Sequence, residues 1–156
     1  AVSTTHGSTW TTPVDLGATF SPAILTSTFQ AVTAGDNGRA AVAYLGSKSD
    51  ENPNRHTFTG VWRMYVSYTL DRGKHWSTYV ATPGSPVQYG SVCTNGTGCT
   101  GNDRNLYDFN DMVLDGKGRV VIAFADGCLK TSGCSNKDRL GKGAIIRQVN
   151  GPRLFR

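Results

Sequence analysis

The sequence has a single glutamate, Glu51, and three histidines, His6, His56 and His75, none of them in a His-x3-His or similar pair. The sequence therefore gives no sign of metal catalysis through such a pair. No stretch reaches the roughly 18 to 20 apolar residues a membrane-spanning helix needs. No segment is rich in Ala, Leu, Glu and Lys, so helices should be few. The 16 Lys and Arg are scattered singly, without a basic run or basic helix to track phosphates, which argues against nucleic acid as a partner. The formal net charge of +5 is read as solubilising surface charge. The Gly-rich stretch 96–101 lacks the Lys-Ser/Thr ending of a phosphate-binding loop. The start, Ala1-Val2-Ser3-Thr4, has neither a charged region nor an apolar signal core, and reads as mature or processed.

What is present favours strand and turn: 19 Gly, 6 Pro, and abundant Thr, Ser and Val over 156 residues. That length allows one modest domain. The four cysteines form two copies of one spacing, Cys93-x5-Cys99 and Cys128-x5-Cys134, in loops of small polar residues. Two local disulfides are the simplest reading, although four cysteines allow three pairings. A zinc site is the rival; zinc pairs are usually spaced by two to four residues, often with His, and no His lies near either loop. Disulfides place the protein in an oxidising, extracellular setting, so a secreted protein is expected. Asn95-Gly96-Thr97 also matches a glycosylation triplet.

Internal repetition is the strongest signal. A shift of eighty residues sets Phe29-Gln30-Ala31-Val32 on Phe109-Asn110-Asp111-Met112, Gly38-Arg39 on Gly118-Arg119, and Val42-Ala43-Tyr44 on Ile122-Ala123-Phe124. Each copy reads as strand, tight turn, strand: a β-hairpin used twice. Val61 to Tyr68 and Ala144 to Gln148 follow as third strands, and Trp76 to Val80 and Arg153 to Phe155 would be fourth strands. The fold class expected is all-β, built of four-stranded antiparallel blades of a β-propeller. A sandwich of seven or eight strands is the rival, and the in-register repeat argues against it.

Between the third and fourth strands stands Thr69-Leu70-Asp71-Arg72-Gly73-Lys74-His75-Trp76, with a degenerate copy at Ser3-Thr4-Thr5-His6-Gly7-Ser8-Thr9-Trp10. Asp can hold a turn by accepting backbone amides, Gly takes a conformation others resist, and Trp packs into the sheet. The first run resembles the Asp-box, S/T-x-D-x-G-x-T-W, of the sialidase-like propellers. His75 departs from the pattern, and the second copy has Thr5 in place of Asp. Thr69, Asp71, Gly73 and Trp76, with Ser3, Gly7, Thr9 and Trp10, are accordingly expected to be structural. Nearly the whole chain is similar to the later blades of secreted bacterial proteins described as sialidase or exo-α-sialidase family members. The resemblance implies a six-bladed ring, of which this chain would supply about two blades and one outer strand: 1–14, 28–82 and 106–156. The remaining blades would come from another chain or from self-association, and two blades from each of three chains would make six.

The same resemblance implies a glycan partner, bound or cleaved. Sialidases use three Arg to hold a carboxylate, a Tyr activated by Glu, and an Asp acid/base. Glu51 lies in Ser49-Asp50-Glu51-Asn52-Pro53 with no motif for a Tyr partner, so the catalytic residues are expected mainly outside this chain. The alternative is a non-catalytic extracellular scaffold, adhesin or assembly subunit. The densest polar cluster is Arg104, Tyr107, Asp108, Asn110 and Asp111, at the start of a strand where a ligand mouth is expected. Asp108, Asn110 and Asp111, joined by Asp126, could supply oxygen ligands to a structural Ca2+; turn hydrogen bonding and capping is the alternative. Arg39 and Arg119 recur at equivalent turn positions, which points to turn packing.

Overall fold

A computed structural model describes residues 1–99, 101, 103–128 and 141–156. They form eight strands and two short 3-10 turns, Gly17–Thr19 and Gly96–Gly98, with no α-helix among the described residues. The strands are β1 Thr26–Ala34, β2 Ala40–Ser47, β3 Val61–Thr69, β4 Ser77–Val80, β5 Gln88–Tyr89, β6 Asp111–Leu114, β7 Val120–Asp126 and β8 Lys142–Arg147. Sheet one runs β1-β2-β3-β4, with β5 added to the start of β3; sheet two runs β6-β7-β8. Every pairing is antiparallel. Among the described residues the sheets do not close into a barrel or ring.

The repeated hairpins close alike. The Gly35 amide donates to the Arg39 carbonyl at 3.0 Å, and the Asp115 amide to the Arg119 carbonyl at 2.9 Å. Gly38 (φ +82°) and Gly118 (φ +70°) take the left-handed conformation each turn requires. β2 and β3 are central strands covered on both faces, which is why they read as near-continuous apolar runs rather than as alternating ones. Ala41, Ala43, Leu45, Met64, Val66 and Tyr68 of sheet one share a core with Met112, Val120, Ile122 and Phe124 of sheet two. Trp62, Phe58, Val87, Val92 and Leu106 carry that core under the long loops. A second cluster covers the other face of sheet one, where Ile24 packs with Tyr44 and Tyr65 and Phe20 meets Tyr65 edge to face at 5.2 Å.

Two strand expectations are corrected. Residues 1–14 contain no strand: the Val2 amide bonds Thr11 Oγ1 and the Thr11 amide bonds the Val2 carbonyl, but no neighbouring strand continues that pairing. Pro13, which has no N–H, could not extend it. Residues 153–155 form no fourth strand either, because they lie across the two hairpin turns. The Leu154 amide donates to the Gly118 carbonyl at 2.8 Å, as the Arg72 amide donates to the Gly38 carbonyl at 2.8 Å. Its carbonyl accepts the Asp36 amide at 2.8 Å, and Arg39 Nη1 donates to the Arg153 carbonyl at 2.7 Å. A Cβ on Gly35 or Gly118 would collide with this tail.

Cys93 and Cys99 are bonded to each other. Cys128 is disulfide-bonded as well, and Cys134, its expected partner, lies outside the described residues.

Candidate functional site

Antiparallel order sorts the connections to two ends of the fold. Residues 35–39, 70–76 and 115–119 cap one end of the sheets; residues 48–60 and 81–110 meet at the other.

At the turn end the runs 3–10 and 69–76 share the same pair of side-chain-to-amide hydrogen bonds. The Gly73 amide donates to Thr69 Oγ1 at 2.8 Å and the His75 amide to Asp71 Oδ1 at 3.0 Å. The Gly7 amide donates to Ser3 Oγ at 2.8 Å and the Thr9 amide to Thr5 Oγ1 at 2.9 Å. Thr5 thus does with a hydroxyl what Asp71 does with a carboxylate. His6 and Gly7, like Arg72 and Gly73, have positive φ. Trp10 closes its own turn by donating from Nε1 to the Gly7 carbonyl at 3.0 Å. These hydrogen bonds hold the two turns.

The His75 amide, and then the His75 ring, lower the Asp71 carboxyl from 3.8 to about 2. At Asp115 desolvation pushes upward, but the amides of Arg119 and Lys117 and the Arg119 guanidinium outweigh it, and the carboxyl again lies at about 2. Both groups titrate lower in the folded state than in the unfolded one. Their contribution is therefore complete above about pH 4 and is lost as the pH falls toward 2. Asp126 has the opposite sign: burial raises its carboxyl, offset in part by the Cys128 amide, so protonating it does not destabilise the fold. We expect the urea midpoint to fall between pH 4 and pH 2, and to fall less steeply in Asp71→Asn. A midpoint independent of pH over that interval would contradict these assignments.

The loop end carries the polar cluster. Arg104 Nη2 pairs with Asp108 Oδ2, each side chain being half-exposed. The Gly96 backbone of the Cys93–Cys99 loop lies beside Arg104, since a Cβ there would stand 3.6 Å from Nη1. That nitrogen is buried, without a hydrogen-bond partner among the described residues. Tyr107 has φ +52°, a strained conformation for an aromatic residue, and its side chain is exposed. Phe109 is 83% exposed. Asn110 Nδ2 donates to the Phe29 carbonyl at 3.0 Å, joining sheet two to a bulge in β1 where Phe29 also has positive φ.

The four oxygen-bearing residues proposed for calcium are not gathered. Asp108 is spent on Arg104, Asn110 on Phe29, Asp111 Oδ1 on the Met112 amide at 2.8 Å, and Asp126 Oδ1 on the Cys128 amide at 2.7 Å. Among the described residues no three His, Cys, Asp or Glu side chains come together as a metal site. Asp111 and Asp126 make the local bonds of the alternative reading, whereas Asn110 bridges to β1 and Asp108 forms an ion pair.

Sequence reasoning missed Asp103. It is buried, accepts Ser91 Oγ at 2.9 Å, lies 3.3 Å from His56 Nδ1, and through its carbonyl holds the Cys93 amide at 2.8 Å. It ties the 48–60 loop to the connection that runs from β5 to β6. The signal available was its place beside Arg104; nothing local announces partners far away in sequence.

No family model matches the chain. No curated protein and no solved structure matches it either. Its function must therefore be argued from its own residues. Glu51 is held within its loop, its Oε2 accepting Ser49 Oγ and the Thr59 amide, both at 3.3 Å. At the turn end Arg39 is held by the Arg153 carbonyl and Arg119 by Asp115, and at the loop end Arg104 pairs with Asp108. No described helix is long and apolar enough to cross a membrane.

Proposed function

We propose that this chain is part of a secreted sialidase-like β-propeller and that its loop end recognises a glycan. The observation that carries the reading is the exposure of the aromatic residues Tyr107 and Phe109 beside the half-exposed Arg104–Asp108 ion pair. Aromatic faces offer apolar surface to the C–H face of a sugar, and the exposed edge of an arginine–carboxylate pair offers polar partners to sugar hydroxyls. Left-handed backbone at Tyr107 is the kind of strain that persists where surrounding structure over-determines a functional side chain. The propeller reading draws support from the repeated hairpins, the matching turns at 3–10 and 69–76, and the approach of β1 to the start of β6. The Cys93–Cys99 disulfide supports an oxidising compartment.

Glycan recognition without hydrolysis is favoured for these residues, because Glu51 is engaged with its own loop and has no tyrosine partner. The remaining blades, with any hydrolytic residues, belong outside them. Calorimetric titration with α-linked sialosides tests the reading. Phe109→Ala and Arg104→Ala should each weaken binding about tenfold, a loss of about 1.4 kcal/mol, while Trp10→Ala at the turn end leaves it unchanged. Equal affinity across all three variants, or no binding by the intact chain, would overturn the proposal. Turnover of a fluorogenic sialoside by this chain alone would overturn the non-catalytic part.

A further inference from the structure

Lysines and arginines that stand singly in the sequence are gathered by the fold at the turn end. The turn at 69–76 meets the turn at 35–39 through the Arg72 amide, which donates to the Gly38 carbonyl at 2.8 Å. Residues 153–155 lie between the turn at 35–39, where Arg39 holds the Arg153 carbonyl, and the turn at 115–119, where the Leu154 amide bonds Gly118. Four segments thus run side by side across one end of the sheets. Residues 35–39, 69–76, 115–119 and 150–155 hold six of the 16 Lys and Arg but three of the 11 Asp and Glu, a net of +3 out of the chain's +5. The three carboxylates are occupied by backbone amides: Asp36 accepts that of Arg156 at 2.7 Å, Asp71 that of His75, and Asp115 those of Lys117 and Arg119. Arg39 and Arg119 are engaged too, with the Arg153 carbonyl and with Asp115. Arg72, Lys74, Lys117 and Arg153 remain, all exposed and none paired with a carboxylate among the described residues.

We infer that this end of the fold binds a linear sulfated polysaccharide, with Arg72, Lys74, Lys117 and Arg153 each meeting an anionic group. A single exposed ion pair contributes little and is screened over about 8 Å at physiological ionic strength. A row of four therefore selects a ligand with repeated charges, whose contacts add along one chain. Guanidinium groups offer paired N–H donors to sulfate oxygens, and ammonium groups act as point charges. Nucleic acid also carries repeated charge; the Cys93–Cys99 disulfide belongs to an oxidising compartment and favours the polysaccharide. The two sheets pack face to face, so a further sheet packed in the same way leaves this end open. The inference does not rest on glycan recognition at the loop end, since a sialoside with one carboxylate gains a single screened contact here.

Calorimetric titration of the full chain with a heparin oligosaccharide tests it. With a slope of about −0.8 per neutralised anion, as on nucleic-acid chains, four contacts make affinity fall about a hundredfold between 50 and 200 mM salt. Lys74→Gln combined with Lys117→Gln should weaken binding at least tenfold at the lower salt and reduce that salt dependence to about tenfold. Lys48→Gln combined with Arg55→Gln removes the same charge from the 48–60 loop and should change affinity less than about twofold, with circular dichroism showing both variants folded. Equal losses in the two variants would overturn the inference, because binding would then follow net charge alone. So would no binding by the unaltered chain at 50 mM salt, or tighter binding to a DNA duplex of equal charge. A chain that binds heparin in this way but no sialoside overturns the reading of the loop end and leaves this inference standing.

Discussion

Trp62→Ala is expected to lower the free energy of unfolding by about 4 kcal/mol, within the range for truncating a buried aromatic residue. Trp62 is wholly buried, stacks at a tilt on Phe58 with ring centres 5.4 Å apart, and donates from Nε1 to the Gly90 carbonyl at 2.9 Å. It therefore joins β3 to the loop beyond β5 by packing and by polar contact at once. Alanine removes the ring and leaves the carbonyl of Gly90 without that donor. Trp62→Phe separates the contributions: it keeps most of the apolar volume, loses the hydrogen bond, and should cost about 1.5 kcal/mol. Urea unfolding of the two variants gives both values. A loss under about 1 kcal/mol for the alanine variant would contradict the position of this residue at the centre of the core.

Leu154→Ala should cost about 3 kcal/mol, the middle of the range for a buried leucine. The cost is large for a residue so near the end of the chain because its side chain lies in the main core while its backbone bridges the two hairpin turns. The substitution leaves the amide bond to Gly118 and the carbonyl bond from Asp36 in place, so the loss measures packing alone. Gly118→Ala tests the backbone part, since a Cβ there meets Phe155 and the residue sits at φ +70°. If Leu154→Ala unfolds at the same urea concentration as the unaltered chain, the tail does not staple the turns.

The strands of both hairpins and the two turn motifs were legible in the sequence because their determinants are local. Glycine at 38 and 118, alternating apolar residues and the side-chain acceptors at Thr69, Asp71 and Ser3 act over a few positions. The outer elements were not legible, because whether 153–155 becomes a strand depends on what lies beside it. Its backbone groups go to Gly118 and Asp36, more than thirty residues away, and cannot also form a ladder on β8. For the same reason 1–14 has strand composition in part but no strand to pair with. At the loop end, sequence proximity drew Asp108, Asn110 and Asp111, and the expected pairing of neighbouring strands drew Asp126, into one imagined cation site. In the fold each finds a different hydrogen-bond partner, while the carboxylate that organises the loops is Asp103. Arg104 and Asp108, both in the polar cluster, form an ion pair; the exposure of Phe109 required the structure.

The most direct test of glycan recognition at the loop end is chemical-shift mapping of the isotopically labelled chain on titration with 3′-sialyllactose. The account predicts saturable shifts in the amides of Arg104, Tyr107, Asp108 and Phe109, with those of Asp71, Gly73 and Trp76 at the opposite end unmoved. Shifts centred on the Asp71 turn, or none at saturating sugar, would contradict it.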